Sequence, residues 1–188
     1  MKRIKWLFRL MLGSIVLISV LSCNDYEKEI RGKNEYVTFN ECSINIPDTW
    51  YFSTSKHLEI YDNIWLFKNK MELPWIDITI TKDKPERDLG MEVVYSGRMK
   101  LMEMIRQDPK NDYSVGGSGK DEVLWDRNCM VAEFIITDNK KIEPTFKYKY
   151  IGTRIEKKNI VVFIGITFEN KDEVEIDEIM KSLKIKDE

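Results

Sequence analysis

The chain has 188 residues, 33% charged and 43% hydrophobic, with 30 basic residues against 32 acidic ones and a formal net charge of −2. That balance excludes a disordered chain, which lacks the apolar content to fold, and a nucleic-acid protein, which needs a basic surface. One histidine and three widely spaced cysteines exclude a histidine-rich metal centre and a C-x-x-C zinc or redox pair.

The first residues read as an address. Lys2, Arg3, Lys5 and Arg9 precede Leu10 to Leu21, a run apolar except for Gly13, Ser14 and Ser19. A basic leader and a short apolar segment make an export signal. The run is too short for a transmembrane helix, which needs about 20 apolar residues. Val20-Leu21-Ser22-Cys23 then resembles the bacterial lipobox: an aliphatic residue (Val in place of the usual Leu), a tolerant position, a small residue and cysteine. The resemblance implies a diacylglyceryl thioether on Cys23, cleavage before it, and often acylation of the freed amine. One acyl chain holds marginally, so stable anchoring takes two or more, each buried methylene contributing about 0.8 kcal/mol. The expected partner of this segment is the membrane of a bacterial cell envelope. Asn24 follows the cysteine where, in some Gram-negative lipoproteins, Asp marks inner-membrane retention, so the outer membrane is favoured. Asp25, Glu27 and Glu29 are either a surface-export signal or part of a solvated tether.

This divides the chain into a lipoprotein signal over 1–22, a lipidated N-terminus and tether over 23–34, and a single globular domain over 35–188. The signal holds four basic residues and no acidic one, which leaves 26 against 32 and a net charge of −6 on the mature part. The 166 residues after the signal are enough for one domain with a real core.

Along the domain, Tyr36–Phe39 reads as a short strand. Cys42, Ile44 and Ile46 alternate on one face of the next, which Pro47-Asp48 ends. Leu58–Tyr61 and Ile64–Phe67 read as a hairpin around Asp62-Asn63. Ile76, Ile78 and Ile80 point inward from a strand whose Asp77, Thr79 and Thr81 point out. Between Asp88 and Gln107 the period changes. Met91, Val94, Tyr95, Leu101, Met102 and Ile105 recur at helical spacing, with Arg98 among them, and Pro109 stops the helix. A glycine-rich stretch, SVGGSGKDE, reads as a loop. Glu122–Trp125 and Cys129–Thr137 flank an Asp126-Arg127-Asn128 turn, Phe146, Tyr148 and Tyr150 share a face, and Ile160–Phe168 is apolar on both faces, as a central strand is. Asn170 with Glu173 has capping-box spacing before a last helix that buries Ile176, Ile179, Met180 and Leu183. Strands clustered in hairpins with helices between them specify an α+β domain on an antiparallel sheet.

The SINIPDTW opening, Ser43 to Trp50, and the close from KKNIVVFIGITFEN to DEIMKSL, Lys157 to Leu183, resemble the PsbP-like and DcrB-like domains. Those open on an I-x-I-P-x-x-W strand and end a last helix on a short S-[FL] motif, here Ser182-Leu183. Asn128 departs from the glycine that many members place in that turn. The resemblance implies an α/β/α sandwich around a mostly antiparallel sheet. It carries no shared catalytic residues.

The residues themselves point to little chemistry. SVGGSGKDE lacks the first P-loop glycine, which would stand at Ser114, and has Asp121 where the magnesium-binding hydroxyl belongs, so no nucleotide is expected. Lys120 breaks a nucleophile elbow around Ser118. His57 has no recognisable partner, and no calcium loop is present. Glu133 sits in an apolar run, but alternation lets it face solvent. Cys42 and Cys129 admit two readings. An exported compartment permits a disulfide, while buried free thiols are the commoner state of cysteines in strands. Lys140, Lys141, Lys147, Lys149, Lys157 and Lys158 come from neighbouring hairpins and either converge on an anionic surface or protect a sheet edge. Trp50, Tyr51, Phe52, Trp65, Trp75 and Trp125 are either a recognition platform or core. The reading that results is an exported, lipid-anchored, non-catalytic binding or accessory protein with a protein partner, no cofactor, no nucleic acid and no nucleotide. A small-ligand carrier for glycan or lipid, and a carboxylate-dependent hydrolase, are the alternatives.

Overall fold

The computed structural model describes residues 29–57, 61–69, 72–84, 86, 88–106, 112–139 and 146–186. Cys23 with its signal, and Lys140 and Lys141, lie outside them. The elements run β1 (Ile30–Arg31), β2 (Glu35–Phe39), β3 (Cys42–Ile46), β4 (Tyr51–His57), β5 (Tyr61–Asn69), β6 (Glu72–Lys82) and α1 (Leu89–Arg106). They continue with β7 (Tyr113–Leu124), β8 (Arg127–Asp138), β9 (Phe146–Ile155), β10 (Ile160–Phe168), α2 (Glu173–Lys181) and β11 (Lys184–Ile185).

Eight strands form one antiparallel sheet in the order β1-β4-β5-β6-β10-β9-β8-β7, and β11-β3-β2 form a second. This is the α+β architecture expected from the hairpin pattern. β10 lies between β6 and β9, and every residue of it after Ile160 is buried. Its residues feed two cores by strand alternation. Val162, Ile164 and Ile166 join Ile76, Ile78 and Ile80 of β6 and Ile176, Ile179 and Met180 of α2. Val161 and Phe163 join Val93 and Leu101 of α1 with Phe134, Tyr148 and Tyr150. Helix α1 therefore covers one face of the large sheet, while α2 and the small sheet cover the other. Each fully buried Ile, Val or Phe contributes about 1.5–3 kcal/mol.

The opening and closing motifs meet. Ser182 Oγ accepts from the Asn45 N–H at 3.0 Å and donates to the Ile179 carbonyl at 2.7 Å, so the end of α2 is stitched to β3. β11 then pairs with β3, Lys184 opposite Ser43.

Five local expectations change, besides the turn expected at Asp126-Arg127-Asn128, which falls at Trp125-Asp126 because Arg127 and Asn128 pair with Leu124 and Val123. Residues 30–34, assigned to the tether, belong to the body: Ile30 and Arg31 pair with Phe52 and Tyr51, and the Gly32 and Asn34 amides donate to the Trp50 and Ile46 carbonyls at 2.8 and 3.0 Å. Asp62-Asn63 is no turn, because β5 runs straight through it; residues 58–60 lie outside the described part. SVGGSGKDE is strand rather than loop, most of the 12-residue β7. Its glycines answer packing: a Cβ on Gly117 would stand 2.6 Å from the Phe134 ring, and one on Gly119 3.0 Å from Val94. Asn170 opens a 3-10 turn over Asn170–Asp172, and Asp172, not Asn170, is the N-cap of α2, without a side-chain cap bond.

The fifth change is the rotation of α1. Its Asp88 cap accepts from the Met91 N–H at 3.1 Å, and its extent is as expected. Its buried line is Val93, Gly97 and Leu101, while Met91, Val94, Tyr95 and Met102 face out. Gly97 and Gly152 let helix and sheet approach closely: a Cβ on Gly152 would lie 2.5 Å from Val93 Cγ2.

Candidate functional site

The site begins at a tight turn. β7 and β8 are joined by Trp125 and Asp126 alone, with Leu124 paired to Arg127. Both turn residues have positive φ, 52° and 57°. That is the type I′ geometry whose twist matches a hairpin, and it normally selects Asn, Asp or Gly. A tryptophan there is a bulky residue in the left-handed region. It is held by its indole, whose Nε1–H donates to the Met180 carbonyl at 2.8 Å and ties the turn to the end of α2.

Trp125 thereby walls a cleft of about 510 Å³ between the turn, the sheet and α2. Val131, Ile151, Ile166 and Phe168 supply an apolar floor, and Ile176 and Met180 a second wall. Glu122, Glu133, Lys149, Asp177 and Lys181 make the rim. Glu133 thus faces the cleft, between two ammonium groups: its Oε1 is 3.3 Å from Lys149 Nζ and its Oε2 3.9 Å from Lys120 Nζ. Lys120 also meets Glu122 at 2.5 Å, and the hydrogen bond to Glu122, with the charges of Glu133 and Glu122, raises its ammonium above the usual lysine range. Solvent screens such exposed pairs, and they add little to stability. Their role is orientation, a fixed pattern of charge around an apolar floor.

Among solved structures, the chain matches the solution structure of cyanobacterial PsbP (CyanoP) from Synechocystis sp. PCC 6803, with a TM-score of 0.51, 9% identity, and coverage of 80% of this chain and 91% of that one. The chain has a PsbP-like fold. No family model matches the sequence, and no curated protein does.

The PsbP-like body separates the lysines that the sequence offered as a converging patch. Lys147 binds Glu173 at 3.0 Å, and it and Lys149 each stand 5.9 Å from the Phe168 ring centroid, at the cleft. Lys158 binds Glu41 at 2.6 Å, while Lys157 lines a separate polar hollow with Arg127 and Arg154. These two lie past the far end of β9. The six steps from Lys149 to Ile155 alone cover about 20 Å of strand, so these four lysines do not form a single basic patch.

The aromatic residues divide as well. Trp50 is fully buried, and its Nε1–H donates to Glu175 Oε1 at 2.9 Å. Trp65 stacks obliquely on Phe67 at 4.5 Å and meets Trp75 edge-on at 6.4 Å, beside α1 on the opposite face from the cleft.

Cys42 and Cys129 are buried free thiols; the bond between them is not formed. Cys42 sits on the small sheet, and burial, helped by the Glu41 charge, pushes its thiol up to about 12. Cys129 Sγ donates weakly to the Arg127 and Leu124 carbonyls inside the β7–β8 hairpin, and burial raises it too. The His57 side chain lies outside the described part. Among the described residues, no group of three His, Cys, Asp or Glu is placed to hold a metal, and no helix is long and apolar enough to cross a membrane.

The Trp125 wall was not anticipated from the sequence. Its signal is a tryptophan at the first of only two residues between strands, a position that asparagine or glycine normally fills.

Proposed function

We propose that this chain is a lipid-anchored, non-catalytic binding protein of the bacterial cell envelope, held by Cys23 and favouring the outer membrane, and that the Trp125 cleft receives a protein partner. The lipobox at Val20–Cys23 and the Asn24 that follows support the address. The observation that carries the binding reading is Trp125 itself: a strained residue, fixed by one hydrogen bond, walling an apolar cleft. Strain of this kind persists only where the surroundings over-determine it, and it clusters at ligand clamps. The clamp is preformed, which lowers the ordering cost of association. The segment it fits presents one apolar side chain to the floor and charges to the mixed rim. The PsbP-like fold agrees with an accessory role but does not specify one.

The test is crosslinking and capture of the full lipidated chain in its native host, beside the rim exchange Asp177→Lys with Lys181→Glu. Both residues are exposed on α2, so the exchange leaves the core intact. A stoichiometric partner held by the wild type and lost by the exchange supports the reading. Turnover of a substrate that depends on Glu133 overturns it. The cleft volume also falls in the small-ligand range, which favours a carrier as the second reading. Mass spectrometry of gently extracted protein reports that outcome as a bound small molecule.

A further inference from the structure

Helix α1 is apolar on both sides. Inward it buries Val93, Gly97 and Leu101. Outward it shows Met91, Tyr95, Met99, Val94 and Met102, exposed by 72, 67, 50, 42 and 37%. Val115 of β7, 41% exposed, extends the row on the same side. A contiguous exposed apolar row of this kind marks an interaction surface. Arg98 and Arg106 are exposed among these residues, with Glu92 and Glu103 along one flank.

Chain length selects the occupant. The step from Cys23 to Ile30, where β1 begins, is seven residues, at most about 24 Å when fully extended. A body so tethered cannot leave the bilayer. β1 lies in the plane of the large sheet. With the sheet parallel to the membrane and α1 beneath it, β1 stands one helix layer above the headgroups, within reach of the anchor. Met, Val and Tyr with interspersed Arg are also what an interfacial helix offers: apolar groups for the acyl boundary and guanidinium groups for phosphate. Trp65 and Trp75, partly exposed beside α1 on the same face, suit the headgroup level.

We propose that the outward row of α1 is a membrane-docking surface, in which Met91, Tyr95, Met99 and Met102 enter the interface of an anionic bilayer while Arg98 and Arg106 meet its phosphates. This rests on the reading that Cys23 carries the anchor. Docking lays the body flat and turns the Trp125 cleft, on the opposite face, away from the membrane.

The experiment is methionine footprinting. Full-length lipidated protein is reconstituted in vesicles of phosphatidylethanolamine and phosphatidylglycerol and treated with dilute peroxide. Sulfoxide at Met91, Met99 and Met102 is read by mass spectrometry, beside the variant Tyr95→Asp with Arg98→Glu and Arg106→Glu. All three substitutions are exposed, and a thermal melt confirms the fold. The expected result is oxidation about ten-fold slower in the wild type than in the variant. Equal rates overturn the proposal. Protection that follows protein concentration instead of vesicles assigns the row to a second copy or a protein partner, and also overturns it. The acyl mass on Cys23, read from the same digest, reports the anchor separately. If that mass is absent, sedimentation of the protein with the same vesicles still decides whether the row docks.

Discussion

The indole of Trp50 and the carboxylate of Glu175, 125 positions apart, share a hydrogen bond of 2.9 Å in which Trp50 donates. Lys68 of β5 binds the other carboxylate oxygen of Glu175 and lies 5.8 Å from the Trp50 ring centroid. Three segments distant in sequence (the loop after β3, strand β5 and helix α2) are thereby closed around one carboxylate. Trp50→Phe removes the donor and leaves space where the larger indole was buried. The expected loss is at least about 1.5–3 kcal/mol, the range for a hydrogen bond to a charged group, with the vacated space adding to it. Urea unfolding checks it: the midpoint falls and the slope stays constant.

The same carboxylate makes stability depend on pH. Burial pushes Glu175 up, but the hydrogen bonds from Lys68 and Trp50 and the Lys68 charge outweigh it, and the carboxyl lies below its reference value of 4.5. A depressed folded-state value means that this contribution is complete above the unfolded value and fades as pH falls through the folded one. Glu175→Gln is therefore expected to be less stable than wild type at neutral pH, with a flatter loss below about pH 4.5. Unfolding curves at a series of pH values test this; parallel profiles for the two proteins would sink it.

What could be read from the chain alone follows from what each pattern depends on. The alternation of Ile76, Ile78 and Ile80 and the unbroken apolar run of β10 depend only on which faces are buried, and both appear as expected. The rotation of α1 was not legible, because apolar residues line both sides and the true inner line passes through Gly97, which a hydropathy pattern ignores. β7 was hidden for a related reason. Gly117 and Gly119 mimic a loop, yet tertiary packing under Phe134 and Val94 requires them. The cleft joins a hairpin turn to a helix some 50 residues later, through a hydrogen bond from Trp125 to Met180 that no local period encodes.

The glycines supply a paired prediction. A Cβ at Gly152 would lie 2.5 Å from Val93 Cγ2 and 3.0 Å from Leu89 Cδ1, whereas at Gly116 it would meet nothing within 4 Å. Gly152→Ala must push α1 off the sheet and is expected to cost about 1–3 kcal/mol. Gly116 has no positive φ, so Gly116→Ala is expected to be neutral or to stabilise by up to about 1 kcal/mol through the unfolded chain. Thermal melts of the two variants should move in opposite directions, or one should not move at all.

Cys42 and Cys129 should be silent in the folded protein. The thiolate is the reactive form, and burial holds Cys42 near 12 and Cys129 above its ordinary value. Native protein is expected to resist a thiol reagent at neutral pH. After unfolding without reductant, Cys42 and Cys129 should both label. An unlabelled pair under those conditions would show a disulfide.

Trp125 separates folding from recognition. A type I′ turn asks for a residue comfortable at positive φ, and asparagine meets that requirement better than tryptophan. If the hairpin were the only demand, Trp125→Asn would relieve strain. It would also lose the bond to Met180 and some apolar contact, so the net change is expected to stay within about 1–2 kcal/mol. The cleft would lose its wall outright. The expected outcome is a variant that melts near the wild type, keeps its antiparallel sheet by circular dichroism, and no longer holds the partner captured by the native chain. Retained capture would mean that the indole serves only to tie the turn to α2, and the binding site would have to lie elsewhere on the molecule.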